Sequence, residues 1–228
     1  MRALADRVRR AGAEPLLTWY RPDSGARTEL SCRTFANWVD KTANLLDTLG
    51  VEGTVAGPVS LEAPGHWMSL VWPVAAWQRG CAYRAGSPDA STELVVTGPS
   101  DLRASPPALT LACSLHPLGL GLRNLPDGVL DYTGEALAEP DAHWAASVET
   151  GSPAWTDEQR IVTHAATGLV TPVTGRVLVR PGSAWQMLAH AVLGPVLGAG
   201  SAVVVEGPVP EEELARIVAA ERVASTVA

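Results

Sequence analysis

Two stretches, Gly57-Pro-Val-Ser-Leu61 and Gly175-Arg-Val-Leu-Val179, decide the fold predicted for this chain. Each is apolar, leads to a Pro-Gly pair and an apolar helical pattern, and is followed by a second apolar strand pattern. They lie in two matched passages, 31–83 and 156–205, whose offset stays constant to within one residue. Alternating helices and strands of this length predict an α/β fold with mostly parallel sheets flanked by helices, arranged as two pseudo-symmetric lobes.

The helices of the first passage are well specified. A stripe of apolar residues at helical spacing predicts an amphipathic helix over 35–49 that ends at Gly50, with Asp40, Lys41 and Asp47 off the stripe and solvated. A second pattern over 66–78 is apolar nearly all round, which predicts a helix buried between layers, with a kink or a change of turn at Pro73. In the second passage, the capping box at 156–159 predicts that a helix opens there and ends near Gly168.

The rest of the chain gives weaker patterns, and residues 114–155 are the least regular. Pro210 and the acids Glu211 to Glu213 are typical of a helix start rather than an acidic site. Further helices are predicted over 2–12 and 133–138. Further strands are predicted over 16–20, 28–30, 93–97, 108–113, 128–132, 200–205 and 223–227.

Composition limits the chemistry. The chain has 228 residues and a net charge of −7, which argues against a nucleic-acid surface. Of its 17 basic residues only Lys41 is a lysine, and Arg is a poor general base. A mechanism that needs a catalytic lysine must therefore use Lys41 or borrow a lysine from a partner.

Cysteine usage and charge patterning indicate a compartment. Three well-separated cysteines without metal-ligand spacing, and a charged N-terminal segment, predict reduced thiols and a cytoplasmic location. Residues 183–205 carry no charge and are long enough to cross a membrane, but their Gly, Pro, Gln and His residues favour a helix, a glycine turn and a strand. We therefore expect no membrane partner.

These patterns carry a resemblance to a known superfamily. Over most of 1–97 and 175–228 the chain resembles the large domain of adenylate-forming enzymes, the acyl-CoA synthetase and AMP-binding ligase superfamily. It is also similar to a small bacterial family of uncharacterised, short relatives. The motifs that carry the resemblance are Leu16-Leu-Thr-Trp-Tyr20, Thr28-Glu-Leu-Ser31, Phe35-Ala-Asn-Trp38, Ala43-Asn-Leu-Leu46, Gly80-Cys-Ala-Tyr83, Leu125-Pro-Asp-Gly-Val-Leu-Asp131, Ala202-Val-Val-Val205, Glu213-Leu-Ala-Arg-Ile217 and Glu221-Arg-Val-Ala-Ser-Thr226.

The resemblance implies joining a carboxylate to the α-phosphate of ATP. That reaction needs a Ser/Thr/Gly-rich phosphate loop with a lysine, an acid for Mg²⁺ and a lysine on a mobile C-terminal domain. The nearest loop candidate is Thr150-Gly151-Ser152, which lacks the lysine, and Trp155 follows it. His164 completes the candidate ligand-binding set, although its predicted helical position favours a structural role.

The expected function follows from the lack of a lysine in the loop candidate and from the single lysine of the chain. The sequence predicts a single truncated adenylate-forming-like domain over 1–228, with lobes 1–150 and 151–228. It favours a non-catalytic protein that binds a small ligand or a partner subunit, with no catalytic residue, metal site or cofactor. Two alternatives remain: a split ligase subunit that uses ATP and Mg²⁺ with a partner domain, and a homo-oligomeric structural protein. Trp144 and Trp155 flank the irregular segment and are candidates for a pocket or an interface.

Overall fold

The computed structural model describes residues 2–57 and 64–227. The chain divides into two compact units: the first holds 37–57 and 71–167, and the second holds 2–36, 64–70 and 168–227. The predicted α/β class with mostly parallel sheets flanked by helices is confirmed. The lobe boundary after residue 150 stays a prediction.

The helices and strands follow the predicted alternation over most of the chain. The helices are α1 (Arg2–Ala11), α2 (Cys32–Thr48), α3 (Trp67–Arg79), α4 (Tyr132–Ala138), α5 (His164–Thr167), α6 (Ala184–Leu188), α7 (Gly194–Gly198) and α8 (Glu211–Ala220). The strands are β1 (Pro15–Arg21), β2 (Ala26–Ser31), β3 (Thr54–Gly57), β4 (Ala82–Ala85), β5 (Thr92–Thr97), β6 (Leu109–Ala112), β7 (Leu130–Asp131), β8 (Pro153–Thr156), β9 (Ile161–Thr163), β10 (Arg176–Val179), β11 (Ser201–Val205) and β12 (Ser225–Val227).

The first unit is built on a sheet with the order β7-β6-β5-β3-β4-β8-β9. Its neighbouring strands are parallel, except that β8 and β9 form an antiparallel pair. Parallel strands are normally covered on both faces, and their side chains are accordingly apolar and buried, as in Leu94, Val96 and Leu111. This sheet carries the segment in which the candidate ligand-binding residues lie.

The second unit is built on a sheet with the order β12-β10-β11-β1-β2, of which only the β1–β2 pair is antiparallel among the described strands. One face packs on α8 through a small cluster of Leu178, Val203, Val205 and Ile217. Side chains alternate along a strand, so the opposite face carries Val204 and its neighbours. Both faces of this sheet are therefore built from apolar side chains.

Most predicted helices are confirmed. The stripe of α2 is buried, including Phe35, Val39 and Leu46, and Gly50 follows it with φ +69°. Helix α3 is buried all round and continues through Pro73, so the predicted kink stays a prediction. The acids Glu211 to Glu213 occupy the first turn of α8, as their pattern indicated.

The predicted helix that opens at 156 and ends near Gly168 is wrong over most of its length, and only His164–Thr167 is helical. Residues 153–163 form an antiparallel hairpin in which Trp155 pairs with Val162 and Thr156 with Ile161. The polar residues that resemble a capping box make the turn instead, because Asp157 Oδ1 accepts the amide N–H of Gln159 and the Asp157 N–H donates to the carbonyl of Arg160.

The strand predicted over 57–61 is described only at Gly57, which belongs to β3, and its remainder, 58–61, lies outside the described residues.

Candidate functional site

The turn at Thr150-Gly151-Ser152 lies immediately before β8, and the structure brings it next to His164. The amide N–H of His164 donates to the Ser152 carbonyl (3.1 Å), and that of Ala165 donates to the Thr150 carbonyl (2.9 Å). These backbone bonds join the turn to the start of α5. Four of the residues predicted as ligand-binding candidates, Thr150, Gly151, Ser152 and His164, therefore lie together in the first unit.

The hydrogen bonds of this turn limit what it can bind. The Ser152 N–H is used by the Glu149 carbonyl (3.0 Å), so it is already bonded within the turn. A phosphate-binding loop instead presents successive free N–H groups to the anion. A Cβ added to Gly151 would meet nothing within 4 Å, so no close backbone contact requires glycine there.

Trp155 is a core residue. Its side chain is 1% exposed, its indole stacks on Tyr83 with ring centroids 5.3 Å apart, and its Nε1 donates to Asp157 Oδ2 (2.9 Å). The Tyr83 hydroxyl in turn fills the space beside Gly57, where an added Cβ would lie 1.7 Å from it. Trp155 therefore stabilises the sheet and the hairpin turn, and its indole face is not available to a ligand.

His164 is half-buried at the start of α5. Its ring lies edge-on to Trp77 with centroids 6.5 Å apart, and burial lowers the pKa of His164 below its ordinary value. The imidazole is consequently neutral at neutral pH. It is the one predicted candidate whose side chain combines partial exposure with an ionisable group.

The prediction that Lys41 and its neighbours on α2 are solvated is wrong for two of the three. The Lys41 ammonium pairs with Asp141 (2.8 Å) and donates to the carbonyls of Leu137 (3.5 Å) and Glu139. Asp40 accepts from the Gln78 amide, and burial raises the pKa of Asp40. The only lysine of the chain is thus engaged with the segment that follows α4.

We call residues 139–148 the strap, because α2 and α3 hold this irregular segment at several points. Asn44 Nδ2 donates to the carbonyls of Pro140 and Ala142 (both 3.0 Å), and the Ala146 N–H donates to the Gln78 carbonyl (2.9 Å). His143 Nε2 lies 2.8 Å from Asp47 Oδ2. The three-residue spacing of Lys41, Asn44 and Asp47 is the signal that could have predicted this polar face.

A buried carboxylate in the second unit was missed by sequence reasoning. Glu206 is 4% exposed, directly follows β11, and accepts hydrogen bonds from the Gly65 N–H and from Trp19 Nε1 (both 2.7 Å). Burial raises the pKa of Glu206. The His66 ring lies 4.6 Å from Trp19, which completes the cluster. An acid placed directly after the valine run at 203–205 was the available signal.

Two further findings concern the described residues alone. Among residues 2–57 and 64–227, no three His, Cys, Asp or Glu side chains are grouped so that they could hold a metal ion. Over the same residues, no helix is both long and apolar enough to cross a membrane. The prediction that residues 183–205 form a helix and a strand is confirmed by α6, α7 and β11.

Comparison with known proteins places the fold in a class. No family model matches the chain. Its structure is similar to the crystal structure of an acyl-CoA synthetase from Brucella canis, with a TM-score of 0.73 and 17% identity, over 98% of this chain and 46% of that one. The fold is therefore acyl-CoA synthetase-like, as the resemblance implied.

The sequence comparison adds one particular relative. A Mycobacterium tuberculosis protein described as "TIGR03089 family protein" is 32% identical over 129 residues, which are 52% of this chain and 51% of that protein. The chain is matched over about half the length of each of these two proteins.

Proposed function

We propose that this chain is a non-catalytic binding protein built on an acyl-CoA synthetase-like fold, and that it acts by engaging a partner subunit. The fold supports descent from a ligase scaffold. The turn at 150–152 supports the loss of ATP chemistry, since its Ser152 N–H is bonded internally and it contains no lysine. Phosphoryl chemistry depends on positive groups that offset the charge of the triphosphate.

The observation that carries the proposal is the position of Lys41. It is the only lysine in the chain, and it is held by Asp141 and by two carbonyl groups at the end of α4 and the start of the strap. An ammonium group held in this way stabilises the strap. Its use on a substrate phosphate would require breaking all of these contacts.

The test is ATP–pyrophosphate exchange by the purified chain with a panel of aliphatic and aromatic carboxylates. We expect no exchange above the protein-free blank, while an active acyl-CoA synthetase in the same assay gives a positive signal. Exchange that scales with protein concentration and is lost in Lys41→Ala would overturn the proposal. Arg79→Ala serves as the matched control, because it also removes a cation paired near the strap.

A second candidate is the nucleotide-binding subunit of a split ligase. It is favoured by the backbone bonds that bring Thr150, Ser152 and the neutral His164 together at one turn. Calorimetry with ATP and Mg²⁺ at about 1 mM tests it, since a working site would bind in this range. Saturable binding that His164→Ala weakens would favour the split ligase, whereas no binding heat would favour the non-catalytic protein.

A further inference from the structure

Trp144 stands out among the apolar side chains of the first unit. Its side chain is 97% exposed, whereas that of the preceding residue, His143, is 5% exposed. An exposed tryptophan leaves roughly 200 Å² of largely apolar surface in water. Single exposed apolar residues are common, so the conformation and charge of the surrounding segment must decide whether this one has a role.

Hydrogen bonds from α2 and α3 hold the strap on both sides of Trp144. Asn44 holds Pro140 and Ala142, Asp47 holds the His143 ring, and the Ala146 N–H is bonded to the Gln78 carbonyl. These contacts order the chain before any partner arrives, which reduces the entropy lost on binding. A rigidly presented tryptophan is typical of the residues that dominate binding energy at protein interfaces.

A second exposed apolar side chain lies on the helix that precedes the strap. Leu137, at the end of α4, is 56% exposed, and its carbonyl accepts from the same Lys41 ammonium that pairs with Asp141 of the strap. The backbone of Leu137 and the beginning of the strap are therefore both bound to the Lys41 ammonium.

The segment that carries Trp144 is rich in acidic residues. From residue 124 to residue 159 the sequence contains eight acidic residues and no Lys or Arg. Lys41 is paired with Asp141 of the strap (2.8 Å), and Arg79 is paired with Asp47 of α2 (2.5 Å). The exposed Asp141 and Glu149 therefore lie in a segment of net negative charge.

From these observations we infer that the strap is a docking surface on which Trp144 anchors a basic protein partner, with an apolar pocket for the indole and Arg or Lys at its rim. This inference deepens the proposed function and rests on it. Complementary charge selects the partner, since opposite potentials favour association and like charges disfavour it. Two copies of this chain meeting strap to strap would bring acid against acid, and each copy carries a net charge of −7, so we assign the basic partner to a different chain.

The experiment uses a defined probe for this chemistry. An amphipathic helical peptide of about 14 residues made of Leu and Lys is titrated into the full chain, and a Leu/Glu peptide of equal length is the charge-reversed control. We expect the Leu/Lys peptide to bind, with affinity that falls as NaCl is raised from about 50 to about 300 mM, and the Leu/Glu peptide not to bind. Equal binding of both peptides would overturn the inference.

Variants make the test specific to the strap. Trp144→Ala is expected to weaken binding of the Leu/Lys peptide by at least about tenfold, and Trp144→Phe by less. Leu169→Ala, which removes an 84% exposed side chain in the second unit, is the matched control and should bind as the wild type does. Unchanged binding by Trp144→Ala would contradict the inference, as would a wild-type dimer, detected by sedimentation, that Trp144→Ala dissociates. These outcomes are independent of ATP–pyrophosphate exchange, so failure here is distinguishable from failure of the proposed function.

Discussion

The β3–α3–β4 and β10–α6–α7–β11 segments share one topology but differ in the helices that connect their strands. In each, two parallel neighbouring strands are joined by a helical crossover, with Gly57 opposite Ala85 in one pair and Val179 opposite Val204 in the other. In the first, α3 is one uninterrupted helix. In the second, the π-helical turn Ala189–Leu193 joins α6 to α7. The crossovers share a sequence pattern and differ in how the helix is packed.

The difference lies in what approaches each helix. Helix α3 carries large side chains that fill its surroundings, since Met68, Trp72 and Trp77 on it are buried. Helix α7 ends instead in glycines that lie against the backbone of Val173, where Cβ atoms added to Gly198 and Gly200 would come within 2.2 and 2.5 Å of Val173 and Gly175 atoms. The first crossover is shaped by side-chain volume, and the second by close approach of two backbones.

Gly198→Ala is expected to have the largest effect. The added Cβ would meet the carbonyl oxygen of Val173, which is backbone and cannot move aside cheaply. We predict a loss of about 3 kcal/mol in the free energy of unfolding, measured by urea denaturation. Gly151→Ala, whose Cβ would meet nothing within 4 Å, is the control and should stay within about 0.5 kcal/mol. Equal stability of the two variants would show that close backbone approach does not distinguish the second crossover.

The ends of the two crossovers give a second contrast. Strand β4 is followed by Gly86, and strand β11 by the buried Glu206. Glu206→Ala leaves the N–H groups of Gly65 and Trp19 without their acceptor, while relieving the burial of a carboxylate, so we predict a net loss of about 2 kcal/mol. Chemical denaturation at neutral pH measures it. Glu212→Ala, at an exposed position in α8, is the control, and an equal loss there would contradict the anchoring role of Glu206.

The pH dependence of stability tests the buried Glu206, which distinguishes the end of the second crossover from that of the first. Burial raises the pKa of Glu206 in the folded protein, so the folded state holds this proton more tightly than the unfolded chain does. Stability from this group is therefore gained as the pH falls through the raised pKa towards the ordinary value of 4.5, and lost as the pH rises again. We predict that wild type gains stability relative to Glu206→Gln as the pH is lowered from neutrality. If the stability advantage of wild type over Glu206→Gln stays constant or shrinks as the pH is lowered, the raised pKa of Glu206 is contradicted.

Asp157→Ala is expected to have the smallest effect, and it tests the region where the two passages diverge. It removes the acceptor of the Gln159 N–H and of Trp155 Nε1 in the turn of the β8–β9 hairpin. We predict a loss of about 1 kcal/mol by thermal or urea unfolding. Glu158→Ala, an exposed neighbour in the same turn, should change stability by less than about 0.5 kcal/mol. A larger effect at Glu158 would mean that the turn is not held by Asp157.

The fold was largely predictable because its signals are local. The apolar stripe of α2, the all-round apolar pattern of α3 and the valine run of β11 each predict their element from spacing alone. The opening helix of the second passage was not predictable, because the same polar residues at 156–159 suit a capping box and a hairpin turn. The β-branched Ile161-Val162-Thr163 favours the strand, and tertiary pairing with β8 decides the outcome.

The candidate site was less predictable because its contacts are long-range. The letters of Thr150, Gly151 and Ser152 indicate a phosphate loop, but the internal bond of the Ser152 N–H depends on the turn geometry. The pairing of Lys41 with the strap joins residues about a hundred positions apart, and neither propensity nor spacing encodes such a partner. The predictions of no cofactor, no catalytic residue and a cytoplasmic location remain predictions.

The most direct measurement of the central claim is an amide chemical-shift titration of the isotope-labelled chain with ATP and Mg²⁺. Because the turn before β8 is bonded to Glu149 and to the start of α5, we predict that the amide resonances of Thr150, Gly151 and Ser152 do not move in a saturable way up to about 5 mM nucleotide. Saturable shifts at these amides with a Kd below about 1 mM would contradict the claim that this scaffold has lost its phosphate site.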